Sequence, residues 1–161
     1  MILTGDHAAL WTRDGSIRDL GTLPGDLTSE ALAINNRGDV VGYSQGPSGM
    51  RAFLWTRSDG MKPLGILPGG NSSRALAIND SGVIVGSSTS SSGDRAFIWT
   101  EETEMTDLNN ASSADLDLVL FEAHAINNKG QIIAMGGPVA LVGHEQCAPA
   151  PPAAFLLSPA R

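Results

Sequence analysis

The chain has 161 residues, of which 42% are hydrophobic, 17% carry a charge, and the formal net charge is −7. This length suits a single domain with its own core. A nucleic-acid partner is disfavoured, because binding phosphates needs a concentrated basic patch and the ten Lys and Arg residues are spread thinly. An anionic membrane surface is disfavoured for the same reason.

Apolar segments of the sequence are all short. None approaches the roughly 18 consecutive apolar residues that span a bilayer, so no membrane span is expected. The first residues, MILTGDHAALW, lack the basic and apolar regions of a signal peptide.

An internal repeat is the dominant feature of the chain. An aromatic motif occurs four times, as AALWT (8–12), AFLWT (52–56), AFIWT (96–100) and AFLLS (154–158). A second motif follows the first three copies, as ALAINNRG (31–38), ALAINDSG (75–82) and AHAINNKG (123–130). Successive tryptophans of the first motif are 44 residues apart, and the third copy is four residues longer.

These spacings divide one domain, residues 1–161, into consecutive units. We place the repeats at about residues 2–38, 39–82 and 83–130, followed by closing strands and an insertion at 131–161.

Each repeat holds four apolar runs that are too short for helices and suit β-strands. The runs are separated by turn sequences in which Asn bonds the turn backbone and Gly adopts a left-handed conformation. The predicted turn residues are Asn35, Gly38, Asn79, Gly82, Asn127 and Gly130. Four strands in about 44 residues match a propeller blade, so we predict an all-β, β-propeller-like fold with roughly three and a half four-stranded blades.

Aromatic and β-branched positions of the repeat predict the core. In RAFLWT the Ala and Leu side chains face one way and Phe and Trp the other, so both faces of this strand are apolar and pack between neighbouring blades. The predicted core residues are Trp11, Phe53, Trp55, Phe97, Trp99, Phe155, Ile34, Ile78 and Ile126. We favour this interpretation of the tryptophans over exposed platforms for a ligand.

The motifs RAFLWT, LPGGNSSRALAIND and VIVG, together with the ending AAFLLSP, resemble the HAF family of probable extracellular repeats. The resemblance extends from His7 to Pro159. It implies a propeller-like fold and an extracellular location in bacteria, and it brings no catalytic residues.

Three and a half blades would leave the ring open, because a closed propeller typically has at least four. We therefore expect a homo-oligomer, either a dimer that closes the ring or an open head-to-tail fibre. A chain that closes imperfectly on itself, or a piece of a longer protein, is an alternative.

Chemistry-bearing clusters are few. His144, Glu145 and Cys147 are weak candidates for a binding site, and their spacing matches no metal motif. We predict no catalytic residues, no metal and no cofactor. Cys147 is the single cysteine, which excludes an internal disulfide; we interpret it as an inert thiol in preference to an intermolecular link.

Two functions from different classes fit these observations. The first is a non-enzymatic module for ligand binding or adhesion, with carbohydrate as a candidate ligand. The second is a structural subunit that self-assembles into a ring or fibre. An enzyme is the least favoured class, because the sequence shows no nucleophile–base pair and no metal cluster. A unique deep cleft near the insertion at 135–152 would distinguish an enzyme from the other two classes.

Overall fold

A computed structural model describes residues 5–111, 118–138 and 153–157, the last five by their backbone alone. The described residues form thirteen β-strands in four antiparallel sheets and one four-residue helix. The prediction of an all-β chain with four-stranded sheets is confirmed.

The sheets follow one another along the chain. The first contains β1 (Ala8–Trp11) and β2 (Ile17–Gly21). The second contains β3 (Thr28–Ile34), β4 (Val40–Gly46), β5 (Gly49–Thr56) and β6 (Gly60–Gly65). The third contains β7 (Ser73–Ile78), β8 (Ile84–Ser90), β9 (Gly93–Thr100) and β10 (Glu104–Asp107). Helix α1 (Leu108–Ala111) precedes the fourth, which contains β11 (Leu118–Ile126), β12 (Ile132–Pro138) and β13 (Ala153–Leu157).

Within each sheet the strands are paired in sequence order, so each sheet is a meander. The second, third and fourth sheets begin with the strand that carries the ALAI-type motif. Sheets and sequence repeats are therefore offset by one strand, since β7 ends the second repeat and opens the third sheet.

The Asn–Gly turns form as the sequence predicts. In the first, the Gly38 amide donates to the Asn35 carbonyl oxygen at 3.0 Å, and the Asn35 side chain accepts from the amide of Asp39 at 3.0 Å. Gly38 has φ 84°, a left-handed conformation that Gly adopts without steric cost. The turns at Asn79 and Asn127 repeat this bonding, and Gly82 and Gly130 repeat the positive φ.

Both faces of the aromatic strands are buried between neighbouring sheets. Phe53 and Trp55 pack against Leu20 and Leu23 of the preceding part of the chain, whereas Leu54 packs in the cluster of Trp99 on the next sheet. Phe97 and Trp99, the equivalents of Phe53 and Trp55, are also buried, and so is Ile78. Ile126 packs at the edge of the last core cluster.

Two of the predicted core residues are exposed, which corrects the prediction for them. Trp11 is 74% exposed and Ile34 is 53% exposed, although Trp55 and Ile78 at equivalent positions are 6% and 8% exposed. Trp11 is exposed because no described sheet packs on the outer face of the first sheet. Ile34 is in β3 of the second sheet, and the described part of the first sheet has no strand equivalent to β4, whose Val41 packs in the same cluster as Ile78. The side chain of Phe155 lies outside the described residues, although its backbone is in β13.

Adjacent sheets are joined by buried serines. Ser29 accepts a hydrogen bond from the Ala8 amide at 2.9 Å and donates to the Gly21 carbonyl oxygen at 2.6 Å. Ser73, 44 residues later, makes the same bonds to Ala52 and Gly65 at 3.0 and 2.7 Å. These backbone groups flank β-bulges in the preceding sheet, so each serine supplies the partners that a bulge removes from the ladder.

The third junction between sheets is built differently. Leu120 occupies the register position of Ser29 and Ser73, and it is paired with Gly136 where the other sheets pair two serines. Here the Asn109 side chain bonds both the amide and the carbonyl oxygen of Leu120, at 2.7 and 2.9 Å. The fourth sheet is thus attached through a side chain of α1.

Candidate functional site: a polar cleft between the third and fourth sheets

The first strands of the second, third and fourth sheets place charged residues at one equivalent position. Glu30, Arg74 and Glu122 occupy this position in β3, β7 and β11. Arg74 lies between two acidic neighbours, and its Nη2 donates to Glu122 Oε2. Its Nε donates to Ser87 Oγ at 3.1 Å.

A cleft of about 260 Å³ opens beside this ion pair. Its lining combines charges, hydroxyl groups and one aromatic ring, chiefly from Arg74, Ser87, Thr89, Asp94, Phe121 and Glu122. Met50 of the second sheet also lines the cleft. Pockets with apolar walls and a few directed polar groups are typical of ligand sites.

Phe121 is at the cleft because of a β-bulge. The pairing of β11 with β12 shifts between Leu120 and Glu122, which leaves Phe121 as an extra residue. Sheets two and three run directly from Ser29 to Glu30 and from Ser73 to Arg74 at this point. Bulges redirect a side chain, and this one adds an aromatic ring that the other repeats lack.

Glu122 is held from two directions. Arg74 bonds one carboxylate oxygen, and His124 Nε2 lies 3.1 Å from the other. The Glu122 side chain is more buried than the side chains of Arg74 and His124. The carboxylate is therefore shielded from solvent by its two partners.

Tyr43 occupies in the second sheet the register position that Ser87 occupies in the third. Its hydroxyl donates to Glu30 Oε2, as the Arg74 guanidinium donates to Ser87. This hydrogen bond to a carboxylate, together with burial, raises the pKa of Tyr43 above its ordinary value of 10.0. A tyrosine ring fills space that a serine leaves open, so the cleft depends on the small side chain of Ser87.

A second concave surface lies where the Asn–Gly turns of three sheets meet. It has a volume of about 280 Å³, and it is lined by the residue pairs Asn35–Asn36, Asn79–Asp80 and Asn127–Asn128 with the preceding isoleucines. The predicted turn residues therefore converge on one place.

Bonds between these turns form a continuous ladder. Asn35 Nδ2 donates to the Asn79 carbonyl oxygen at 3.1 Å, and Asn79 Nδ2 donates to the Asn127 carbonyl oxygen at 3.2 Å. Asp80 accepts from the side chains of Asn36 and Asn128 at 2.8 and 2.7 Å. The hydrogen bonds to Asn36 and Asn128 lower the pKa of Asp80 below its ordinary value of 3.8.

Because the polar groups of this ladder bond one another, we interpret it as a structural element. The cleft differs, since the Phe121 ring and the exposed carboxylate of Asp94 line it without belonging to such a ladder. The cleft is therefore the better candidate for a ligand.

Other polar residues have local structural partners. His7 Nδ1 lies 3.0 Å from Asp19, and its hydrogen bond lowers the pKa of Asp19. Asp14 accepts from Thr12 and Ser16 in its turn, which lowers the pKa of Asp14 to about 2. Asp26 and Arg51 form an ion pair in which the Asp26 side chain is buried, with Asp26 Oδ1 and Arg51 Nη2 separated by 2.7 Å.

The weak binding candidates His144, Glu145 and Cys147, and most of the insertion at 135–152, lie outside the described residues. Within the part of the chain that is described, no group of three or more His, Cys, Asp or Glu residues is placed to hold a metal ion. The short helix of the described chain falls well below the length needed to cross a membrane.

Sequence reasoning did not identify the cleft or the serine joints. Ser29, Ser44, Ser73 and Ser88 do recur at the repeat spacing, which was the available signal for the joints. The cleft had a weaker signal, the charge alternation of Glu30, Arg74 and Glu122 at matching repeat positions.

Comparisons of the chain with protein-family models, with curated proteins and with solved structures found no match in any of the three.

Proposed function

We propose that this chain is a non-enzymatic repeat module that binds a ligand of the carbohydrate class in the cleft between its third and fourth sheets. The proposal rests on one observation. The Arg74–Glu122 ion pair lies beside the Phe121 ring, at a β-bulge that the equivalent positions of the second and third sheets lack.

The chemistry of the cleft supports a sugar. Sugar hydroxyls act as donors and acceptors, and the cleft offers a guanidinium donor, carboxylate acceptors and the hydroxyls of Ser87 and Thr89. An aromatic ring such as Phe121 suits the apolar face of a sugar ring. A polar ligand with one apolar face is therefore the class that fits best.

The fold that we propose is an incomplete β-propeller. Stacked four-stranded meanders, with β3, β7 and β11 joined by the turn ladder, support an arrangement of blades around one axis. The resemblance to HAF repeats supports the same fold and an extracellular location for the module.

We propose no catalytic step. Among the described residues, the side chains of His7 and His124 contact carboxylates rather than hydroxyl groups, so neither histidine is placed to activate a nucleophile. Binding without chemistry is the simpler role for such a site.

A glycan microarray probed with the full chain tests the proposal. Ser87→Tyr should abolish binding, because it fills the cleft with the side chain that Tyr43 already places at the equivalent position. Ser58→Tyr, in an exposed turn, is the matched control and should bind as the parent chain does. Equal binding by Ser87→Tyr would remove the cleft as the site, and an array without any signal would remove the carbohydrate class.

A second function, a self-assembling structural subunit, is favoured by one observation. The outer face of the first sheet carries the paired residues Trp11 and Ile17, which are 74% and 69% exposed, and a contiguous exposed apolar patch is typical of an interface.

A further inference from the structure

We propose that copies of this chain associate head to tail, through the exposed face of the first sheet in one copy and the exposed face of the fourth sheet in the next. This inference rests on the second candidate function, names its partner surfaces, and is independent of ligand binding in the cleft.

The apolar packing of the second and third junctions has the same direction. At each, the face of one sheet that carries Val41 or Val85 packs on the opposite face of the following sheet. At the second junction, for example, Val41 and Leu54 pack in one cluster with Ile84 and Trp99. We call the face that carries Val41 or Val85 the presenting face, and the opposite face, which carries Trp55 or Trp99, the receiving face.

The first sheet has a receiving face that nothing described covers. Trp11 and Ile17 are 74% and 69% exposed, whereas Trp55 and Trp99, at the positions equivalent to Trp11, are 6% and 9% exposed. Trp11 and Ile17 are paired across β1 and β2, so their side chains form one continuous apolar patch. We call Trp11 and Ile17 the head surface.

The fourth sheet has the complementary, presenting face. Ile133 pairs with Ala125 across β11 and β12, as Val41 pairs with Ala33 and Val85 with Ala77. Val41 and Val85 are fully buried, but Ile133 is 47% exposed. We call Ala125 and Ile133 the tail surface.

The head and tail surfaces are thus the two halves of the junction that the chain builds internally. Stacking the tail surface of one copy on the head surface of another continues the same interface and buries Trp11 as Trp55 and Trp99 are buried. Because the two surfaces differ, the contact is heterologous; it ends when a ring closes, or it propagates as a fibre.

The test uses two single variants of the full chain, Trp11→Arg on the head surface and Ile133→Arg on the tail surface. Light scattering after size-exclusion chromatography should show the parent chain as a closed oligomer or a concentration-dependent ladder. Each variant alone should associate at least about 30-fold more weakly, as when a central interface residue is lost. Ser58→Arg adds the same charge in an exposed turn and should associate as the parent chain does.

Mixing the two variants identifies the geometry. The Ile133→Arg chain keeps an intact head and the Trp11→Arg chain keeps an intact tail, so the mixture should form a one-to-one dimer and stop there. Circular dichroism should show both variants folded, because the substituted side chains are exposed in the single chain.

Three results would count against the proposal. Association of the parent chain without recovery in the mixture would indicate a different interface, which overturns head-to-tail stacking while leaving self-assembly in place. A monomeric parent chain at every concentration would overturn both. A monomer in which Trp11→Phe removes no fluorescence that an added quencher reaches would show that another segment of the same chain covers the head surface.

Discussion

Trp11 and Trp55 occupy the same position of the same motif, yet one is exposed and the other is buried. The difference lies in their neighbours. Trp55 packs against β1, β2 and the segment that follows them, with the Arg18 guanidinium 5.7 Å from its ring, whereas no described sheet packs on Trp11. A repeat motif therefore specifies which faces of a strand are apolar, and the position of the repeat in the stack specifies which of those faces are buried.

The largest effect should come from removing the buried member of the pair. Trp55→Ala should lower the free energy of unfolding by about 3–5 kcal/mol, as for other buried aromatics. Trp11→Ala should change it by less than about 0.5 kcal/mol in the isolated chain. Urea denaturation at low protein concentration measures both values, and similar losses for the two variants would contradict the comparison.

An intermediate effect should come from the serine joint of an inner junction. Ser73→Ala leaves the buried Ala52 amide and the Gly65 carbonyl oxygen without their partner, and it should cost about 1–3 kcal/mol. Urea unfolding of this variant is compared with Ser92→Ala, which alters an exposed loop residue. If the two serines cost the same, the joints do not hold the sheets together.

The turn ladder should give a smaller, pH-dependent effect. The pKa of Asp80 is lowered in the folded state, so its contribution to stability is present above the ordinary value of 3.8 and is lost as the pH falls through the folded value. Asp80→Asn should reduce the loss of stability between neutral and acidic pH. Thermal unfolding across that range checks this, with Asp94→Asn, a carboxylate outside the ladder, as the control.

The smallest effect is spectroscopic. Tyr43 is the single tyrosine, so its phenolate absorbance can be titrated without overlap. The hydrogen bond to Glu30 raises the pKa of Tyr43; its contribution to stability is therefore present below the ordinary value of 10.0 and is lost as the pH rises through the raised value. Glu30→Gln should lower the midpoint of the titration toward the ordinary value, and Glu104→Gln should leave it unchanged.

Much of the fold was predictable because it depends on local chemistry. Short apolar runs separated by Asn–Gly turns predict strands and hairpins without knowledge of their neighbours, and the repeat spacing predicts that Trp55 and Trp99 share an environment. The exposure of Trp11 was not predictable in this way, because it depends on whether another sheet packs on the first one.

The candidate site was harder to predict, because it depends on small departures from the repeat. The four extra residues of the third copy do not reveal that Phe121 is the residue expelled from the ladder. Likewise, the difference between Tyr43 and Ser87 resembles ordinary sequence variation between repeats at one strand position. Only the pairing of β7 with β8 and the approach of β11 show that the difference opens a cleft.

The replacement of the serine pair by Leu120 and Gly136 bears on how similar repeats avoid mispairing. Nearly identical units can exchange places during folding, which is a characteristic failure of repeat proteins. The strand β11 carries no hydroxyl at the position where Ser73 satisfies the bulge at Ala52, so a misplaced β11 would leave that amide without a partner. This difference makes the fourth sheet a poor substitute for the third, whereas the second and third sheets carry the same serine pair and are not distinguished by it.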